Sequence, residues 1–219
     1  MPHFELSPVE TRILGCLLEK ERLTPENYPI SLNALTAASN QSTNRDPITA
    51  YDERTIDAGI TELRQQKLAT MIHAAGSRVP KYRHNLPDHY EITPRETALL
   101  CVLMLRGPQT LGELRSRTER MAAFPSLEEV EATLNNLARG DDPLVRLLPQ
   151  QPGQKERRYV QLLSGEPTAE TLNPTAQSSD PGPSRSAKIE ALEAELAAVR
   201  TEIRELRDQF ETFRKQFES

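Results

Sequence analysis

The sequence predicts a mainly α chain with small β wings: tandem winged-helix units, a flexible linker and a C-terminal coiled-coil helix. Three observations predict it. A helix-opening motif occurs twice, at Ser7-Pro8-Val9-Glu10 and Thr93-Pro94-Arg95-Glu96, an offset of 86 residues. Behind each copy the apolar pattern runs through three helices and then two short strands. From Ile189 onward, apolar residues recur at alternating spacings of three and four, which is a heptad seam. The expected boundaries are 1–90, 91–165, 166–186 for the linker and 187–219 for the last helix.

The repeated motif is a capping box. Its hydroxyl accepts from an orphan N–H of the first turn, and its glutamate accepts from the cap's own N–H. Proline suits the first helical position because its missing N–H would have had no partner. The helix behind the first box buries Val9, Ile13, Leu14, Leu17 and Leu18; the second buries Leu99, Leu100, Leu103 and Met104. Cys16 and Cys101 lie on these apolar faces and read as small buried hydrophobes.

In the first unit, Thr24 to Pro29 is extended, since a residue before proline avoids the helical region. Ser31 caps a short helix with Leu32 and Leu35 inward. Asn40 to Pro47 is a polar turn cluster. Asp52 caps a third helix with Ile56, Ile60 and Leu63 on its inner face. Leu68 to His73 and Val79 to Leu86 form a two-stranded ribbon about Gly76, which sets His73 and His84 facing each other. The second unit returns the pattern. Thr110 leads a helix with Leu111 and Leu114, Val130, Leu134 and Leu137 stand for Ile56, Ile60 and Leu63, and Tyr159 stands for Tyr82. The offset drifts from 86 through 79 and 74 to 77, so the length changes fall in connections, where chains tolerate them. Asp141 and Asp142 read as turn residues before Pro143.

The stretch LSPVETRILGCLLEK followed by TPENYPISLNALTAASNQSTNRDP sharpens the reading. Tyr28-Pro29, then Leu32-Asn33-Ala34-Leu35, then Asn40-Gln41-Ser42-Thr43-Asn44-Arg45-Asp46-Pro47 closely resemble the YceH-like family of bacterial proteins. The resemblance is most specific in the first unit and extends through the second. It implies tandem winged-helix domains and no established activity.

Several function classes are disfavoured. No glycine-rich phosphate loop, Cys-x-x-Cys pair, His-Glu-x-x-His or Gly-x-Ser-x-Gly occurs, and the four histidines lack ligand spacing, so neither an enzyme nor a cofactor is expected. There is no run of 18 apolar residues. Glu5 and Glu10 stand where a signal peptide would be basic and then apolar, so a cytoplasmic protein is expected.

Winged helices usually read DNA with the third helix and cover phosphates with the wing. The charge is not basic: residues 1–90 hold 10 Lys+Arg against 11 Asp+Glu, and residues 91–165 hold 10 against 10. Acidic residues suit the first turn of the third helices, but they repel phosphate there. The positive charge sits in the wings, at Arg78, Lys81 and Arg83 and at Lys155, Arg157 and Arg158. The candidate nucleic-acid contacts are therefore Asn44, Arg45, Arg54, Arg78, Lys81 and Arg83. Two readings stay open. One is a dimeric, transcription-regulator-like protein that binds double-stranded DNA through the first wing. The other is a scaffold that binds a protein partner through the same fold. The Asn40–Pro47 cluster reads either as a self-bonded turn or as a recognition surface.

Glu166 to Ser186 is rich in proline and poor in large apolar residues, so it buries too little to order itself. Beyond it, Ile189, Leu196, Ile203, Phe210 and Phe217 take heptad position a. Leu192, Val199, Leu206 and Phe213 take position d. In a parallel homodimer the flanking positions pair Lys188 with Glu193, Glu195 with Arg200, Glu202 with Arg207 and Gln209 with Arg214, whereas the antiparallel arrangement opposes arginines. The alternative is an amphipathic helix that folds back onto its own domains.

Overall fold

In the computed structural model, each helix start follows from its cap. Helix α1 (Pro8–Leu23) opens on a complete capping box: Ser7 N–H donates to Glu10 Oε2 at 2.8 Å, and Glu10 N–H to Ser7 Oγ at 3.3 Å. A 3-10 turn at Pro25–Asn27 leads to a two-residue strand, β1 (Ile30–Ser31), and Ser31 caps α2 (Leu32–Ser39). After the polar loop 40–52, Asp52 caps α3 (Glu53–Gln65), and β2 (Ala69–Ile72) and β3 (Lys81–His84) follow. The three strands form one antiparallel sheet in the order β1-β3-β2.

The segment from residue 94 runs through a similar order. Helix α4 (Pro94–Arg106) opens on the second predicted box, with Thr93 N–H donating to Glu96 Oε2 at 2.7 Å. Helices α5 (Leu111–Thr118) and α6 (Leu127–Leu137) precede the antiparallel pair β4 (Val145–Leu147) and β5 (Tyr159–Gln161). Where β1 pairs Ile30 with Tyr82, the later segment has a single bridge between Gln109 and Tyr159. The described residues, 4–73, 79–150 and 154–167, are thus mainly helical with small antiparallel sheets, and all belong to one compact unit.

Ile56, Ile60, Leu63, Val130, Leu134 and Leu137 are all buried, as their spacing requires. The two halves share one apolar core. Helices α1 and α4 cross with Gly15 at the contact: a Cβ there would lie 2.9 Å from Leu105 Cδ2 and 3.1 Å from Met104 Cβ. Both cysteines are buried and unbridged, and the Cys101 thiol donates to the Gly15 carbonyl at 3.4 Å. The chain also returns to its beginning, with Leu6 N–H donating to the Leu163 carbonyl at 2.8 Å. No helix among the described residues is long and apolar enough to cross a membrane.

The histidine expectation is corrected. The strand register sets His84 opposite Ala69, not His73. His84 faces inward and bonds Glu21 through Nε2 at 3.0 Å, while His73 lies exposed beyond β2. Gly76, expected to turn the first wing, lies outside the described residues, as does everything beyond Pro167, including the expected coiled coil.

Candidate nucleic-acid interface

Strand β3 is the middle strand of its sheet, so its side chains alternate between the core and the outside. Tyr82 and His84 point inward and are buried; Arg83 is exposed and Lys81 half-buried. Directly opposite residues share a face. Arg83 is paired with Thr70 and Lys81 with Ile72, and Ser31 of β1 lies against Lys81 from the other side. Lys81 and Arg83 therefore stand on one outer face two residues apart. Among the described residues neither has an ion-pair partner. Arg78, expected beside them, lies outside the described residues.

The cations of the second sheet are more engaged. Arg158 Nη1 donates to Glu113 Oε2 at 2.8 Å and to the Pro108 carbonyl at 2.9 Å. Arg157 Nε reaches the Leu148 carbonyl at 3.4 Å. Lys155 is exposed and, among the described residues, its side chain makes no such bond.

Arg54 is exposed in the first turn of α3, as expected, but Glu53, Asp57 and Glu62 are exposed on the same helix. The outward side of α3 is thus acidic. Asn44 is exposed, with a positive φ of 60°, and its side-chain oxygen accepts from Arg106 of α4.

Arg45 is a correction. Read from the turn cluster as reaching backbone phosphate, its guanidinium is buried against α1. Nη2 and Nη1 donate to the two oxygens of Glu19 at 2.6 and 3.0 Å. Nε donates to the Ala38 carbonyl at 3.0 Å, and Nη2 also to Gln41 Oε1 at 3.0 Å. Burial opposes the charge, but the hydrogen bonds and negative charge of Glu19 outweigh it and hold the guanidinium above its usual value. The fifth N–H, on Nη1, goes to the Asn44 carbonyl at 3.0 Å, so no donor is left for a phosphate.

The whole cluster works in the same way. Asn40 clamps Tyr51, donating to its carbonyl at 2.7 Å and accepting from its N–H at 2.8 Å. The Asp46 N–H donates to the Leu105 carbonyl at 2.9 Å, which ties the loop to the end of α4. Arg12, buried in α1, donates to the Ser39 and Pro47 carbonyls at 3.3 and 2.6 Å; burial lowers its pKa, and the charge of Asp46 does not offset it. Backbone groups of Asp46, Pro47 and Tyr51 and the last carbonyls of α2 are thereby bonded from below. Arg12 and Glu19 were not anticipated. Their signal was present: seven residues apart, they flank Cys16 on a helix face that is otherwise apolar.

The remaining outward surface of the loop is Ser42, Thr43, Asp46, Pro47 and Ile48; the last is 65% exposed. Tyr28 of the same motif group points inward. Its phenol oxygen accepts from the His84 N–H at 2.8 Å, and burial pushes its pKa up.

These motifs are the ones that carry the family resemblance, and the comparisons agree with it. Residues 6–154 match the family model described as "Protein of unknown function, DUF480". A UPF0502 protein of Geobacter sulfurreducens is 52% identical over 163 residues, 74% of either chain. One from Citrifermentans bemidjiense is 51% identical over 167 residues, covering 76% of this chain and 77% of its own. One from Opitutus terrae is 53% identical over 161 residues, covering 73% and 70%. The chain therefore belongs to the DUF480/UPF0502 family of bacterial proteins, the YceH-like family that its Tyr-Pro and Asn-Gln-x-x-Asn-Arg-x-Pro segments resemble.

Proposed function

We propose that this protein binds double-stranded DNA in the manner of a transcription regulator, without catalysis, and that the outer face of β3 makes the contacts. The observation that carries this reading is the pair Lys81 and Arg83: outward, on one face, and unpaired among the described residues. Two cations on a strand surface suit phosphate contact, which positions a duplex without reading its sequence. The acidic outer side of α3 and the buried Arg45 argue against insertion of α3 into the major groove, so the binding is led by the wing.

Each half is read as a winged helix. The contact between Cys101 and Gly15 supports a two-fold relation between the halves, because these residues are counterparts at the 86-residue offset. A residue that touches its own counterpart is the mark of an isologous interface. The heptad seam from Ile189 to Phe217 completes the proposal as a parallel dimerisation helix. It would double the phosphate contacts of one chain.

Fluorescence anisotropy with a random-sequence duplex at low salt tests the reading. Counterion release makes even non-specific binding visible there. The full chain should bind at micromolar concentration. Lys81→Ala with Arg83→Ala should weaken binding to all sequences and flatten the plot of log affinity against log salt by about 2. No binding at low salt, or an unchanged slope in the double variant, sinks it. In that event the second reading takes over, a protein-binding scaffold; the exposed Ile48 of the loop and the acidic outer side of α3 favour it.

A further inference from the structure

We infer that the cleft between α1, α4 and α5 is a binding site for a small organic phosphate, a monoester carrying an apolar group. It is distinct from the outer face of β3 and does not depend on DNA binding. The cleft encloses about 290 Å³, at the small end of ligand pockets. Leu23, Val102, Leu105 and Met121 give it an apolar wall, and Arg106, Arg117 and Arg120 stand around it.

The cations exceed the carboxylates available to neutralise them. Arg45 takes both oxygens of Glu19, the one acidic side chain buried in the cleft wall. Arg117 reaches Glu113 only at 3.5 Å, and Glu113 is already held at 2.8 Å by Arg158 and at 2.9 Å by the Thr110 N–H. Arg106 is bonded to a neutral oxygen, that of Asn44. Its pKa is lowered, first by burial and then by the charges of Arg117 and Arg45, so these guanidinium groups sense one another. Arg120 has no hydrogen-bond or ion-pair partner among the described residues. The charges of Asp46 and Glu19 oppose the lowering at Arg106, and the other acid of the lining, Glu119, is exposed.

Three forked donors with one unmatched carboxylate between them suit a doubly charged tetrahedral anion better than a single carboxylate. The apolar wall has room for an ester group that inorganic phosphate lacks. Asn44 connects the cleft to the loop, because it shares Arg106 with any bound phosphate.

Phenyl phosphate is the probe, titrated calorimetrically into the full chain against inorganic phosphate and benzoate. Phenyl phosphate should bind at least roughly tenfold more tightly than either, since each of the others lacks one half of the recognition. Arg117→Gln and Arg120→Gln should each weaken phenyl phosphate by roughly tenfold or more, the loss of one charge-assisted hydrogen bond. Arg139→Gln, just past the C-terminal end of α6, should leave it unchanged. Circular dichroism of the same preparations shows that the variants are folded. The proposal is overturned by no heat of binding with phenyl phosphate at millimolar concentration. It is equally overturned by affinities that Arg117→Gln and Arg120→Gln leave intact, or by inorganic phosphate binding as tightly. Competition by a short duplex would assign the cleft to nucleic-acid backbone and overturn it too.

Discussion

The loop between α2 and α3 and the loop between α5 and α6 hold the same place in the order of elements, yet they are fastened by different chemistry. The first is pinned from within by Arg12 and Arg45, both buried, and by the Glu19 carboxylate. The second is pinned from outside: the exposed Arg115 donates to the Phe124 and Pro125 carbonyls at 3.2 and 3.0 Å. At the 86-residue offset, the positions of Arg12 and Glu19 are taken in α4 by Ala98 and Leu105, which are buried and apolar. The longer loop explains the difference. It crosses to the end of α4 through Asp46, so more of its backbone is withdrawn from water and must find donors inside the protein. A buried charge pair between α1 and the loop is the cost of that reach, and Asn40 to Pro47 is the other side of the same clamp.

The comparison breaks most visibly at Arg45. Arg45→Met leaves the Glu19 carboxylate buried without its bidentate partner, which should cost about 3–5 kcal/mol in urea denaturation. Adding Glu19→Leu, which writes the α4 residue into α1, should recover most of that loss, since a buried pair replaced by apolar groups is often near neutral. If the double variant is no more stable than the single one, the loop depends on the bonds of Arg45 to Ala38 and Gln41 rather than on the charge pair.

A smaller effect is expected where the halves meet. Gly15→Ala pushes a methyl group against Leu105 and Met104, an overpacking of about 1–3 kcal/mol. The same denaturation reads it. A midpoint unchanged or raised would mean that α1 and α4 separate easily and that their contact is not a fixed part of the core.

How legible this molecule was depended on how local each signal is. Both predicted capping boxes and the six inward residues of α3 and α6 formed as their spacing required, because these are contacts within one helix or along one face. A third box, at Thr110 and Glu113, carries the same Ser/Thr-x-x-Glu signal and was legible but not read. Strand β1 was not legible: two residues between a proline and a helix give no period, and its pairing with β3 joins segments about fifty residues apart. Arg45 misled for a related reason. An arginine in a polar turn looks solvated, and its partner Glu19 sits 26 residues earlier on a helix that otherwise reads as core. The cleft beside α5 joins α1, α4, α5 and Asn44 of the long loop, so no single window of sequence contains it.

The finest comparison is between His84 and Gln161, which follow Tyr82 and Tyr159 by two residues in their strands and are both buried. Gln161 is neutral at any pH and donates to Ser164 Oγ at 2.8 Å. His84 titrates. Its Nδ1 accepts from the Leu86 N–H at 3.3 Å, so the ring proton sits on Nε2 and faces Glu21. Burial lowers the His84 pKa, and the charge and hydrogen bond of Glu21 only partly oppose it; Arg83 adds to the lowering and Asp88 offsets it. Below an unfolded-state value of about 6.5, the unfolded chain therefore binds a proton that the native state resists. Stability from this group is complete above that pH and falls as the pH drops toward the lowered native value. His84→Gln removes the titrating group while keeping a polar side chain. The urea midpoint of the unmodified chain should fall more steeply than that of His84→Gln between about pH 7 and pH 5.5. Carboxylates such as Glu113, held low by the Thr110 N–H and by Arg158 and Arg117 against the effect of burial, titrate in both proteins and cancel in the difference. Parallel pH dependence in the two proteins would show that Glu21 fully offsets burial, so that His84 holds its proton equally well in the native and unfolded chains.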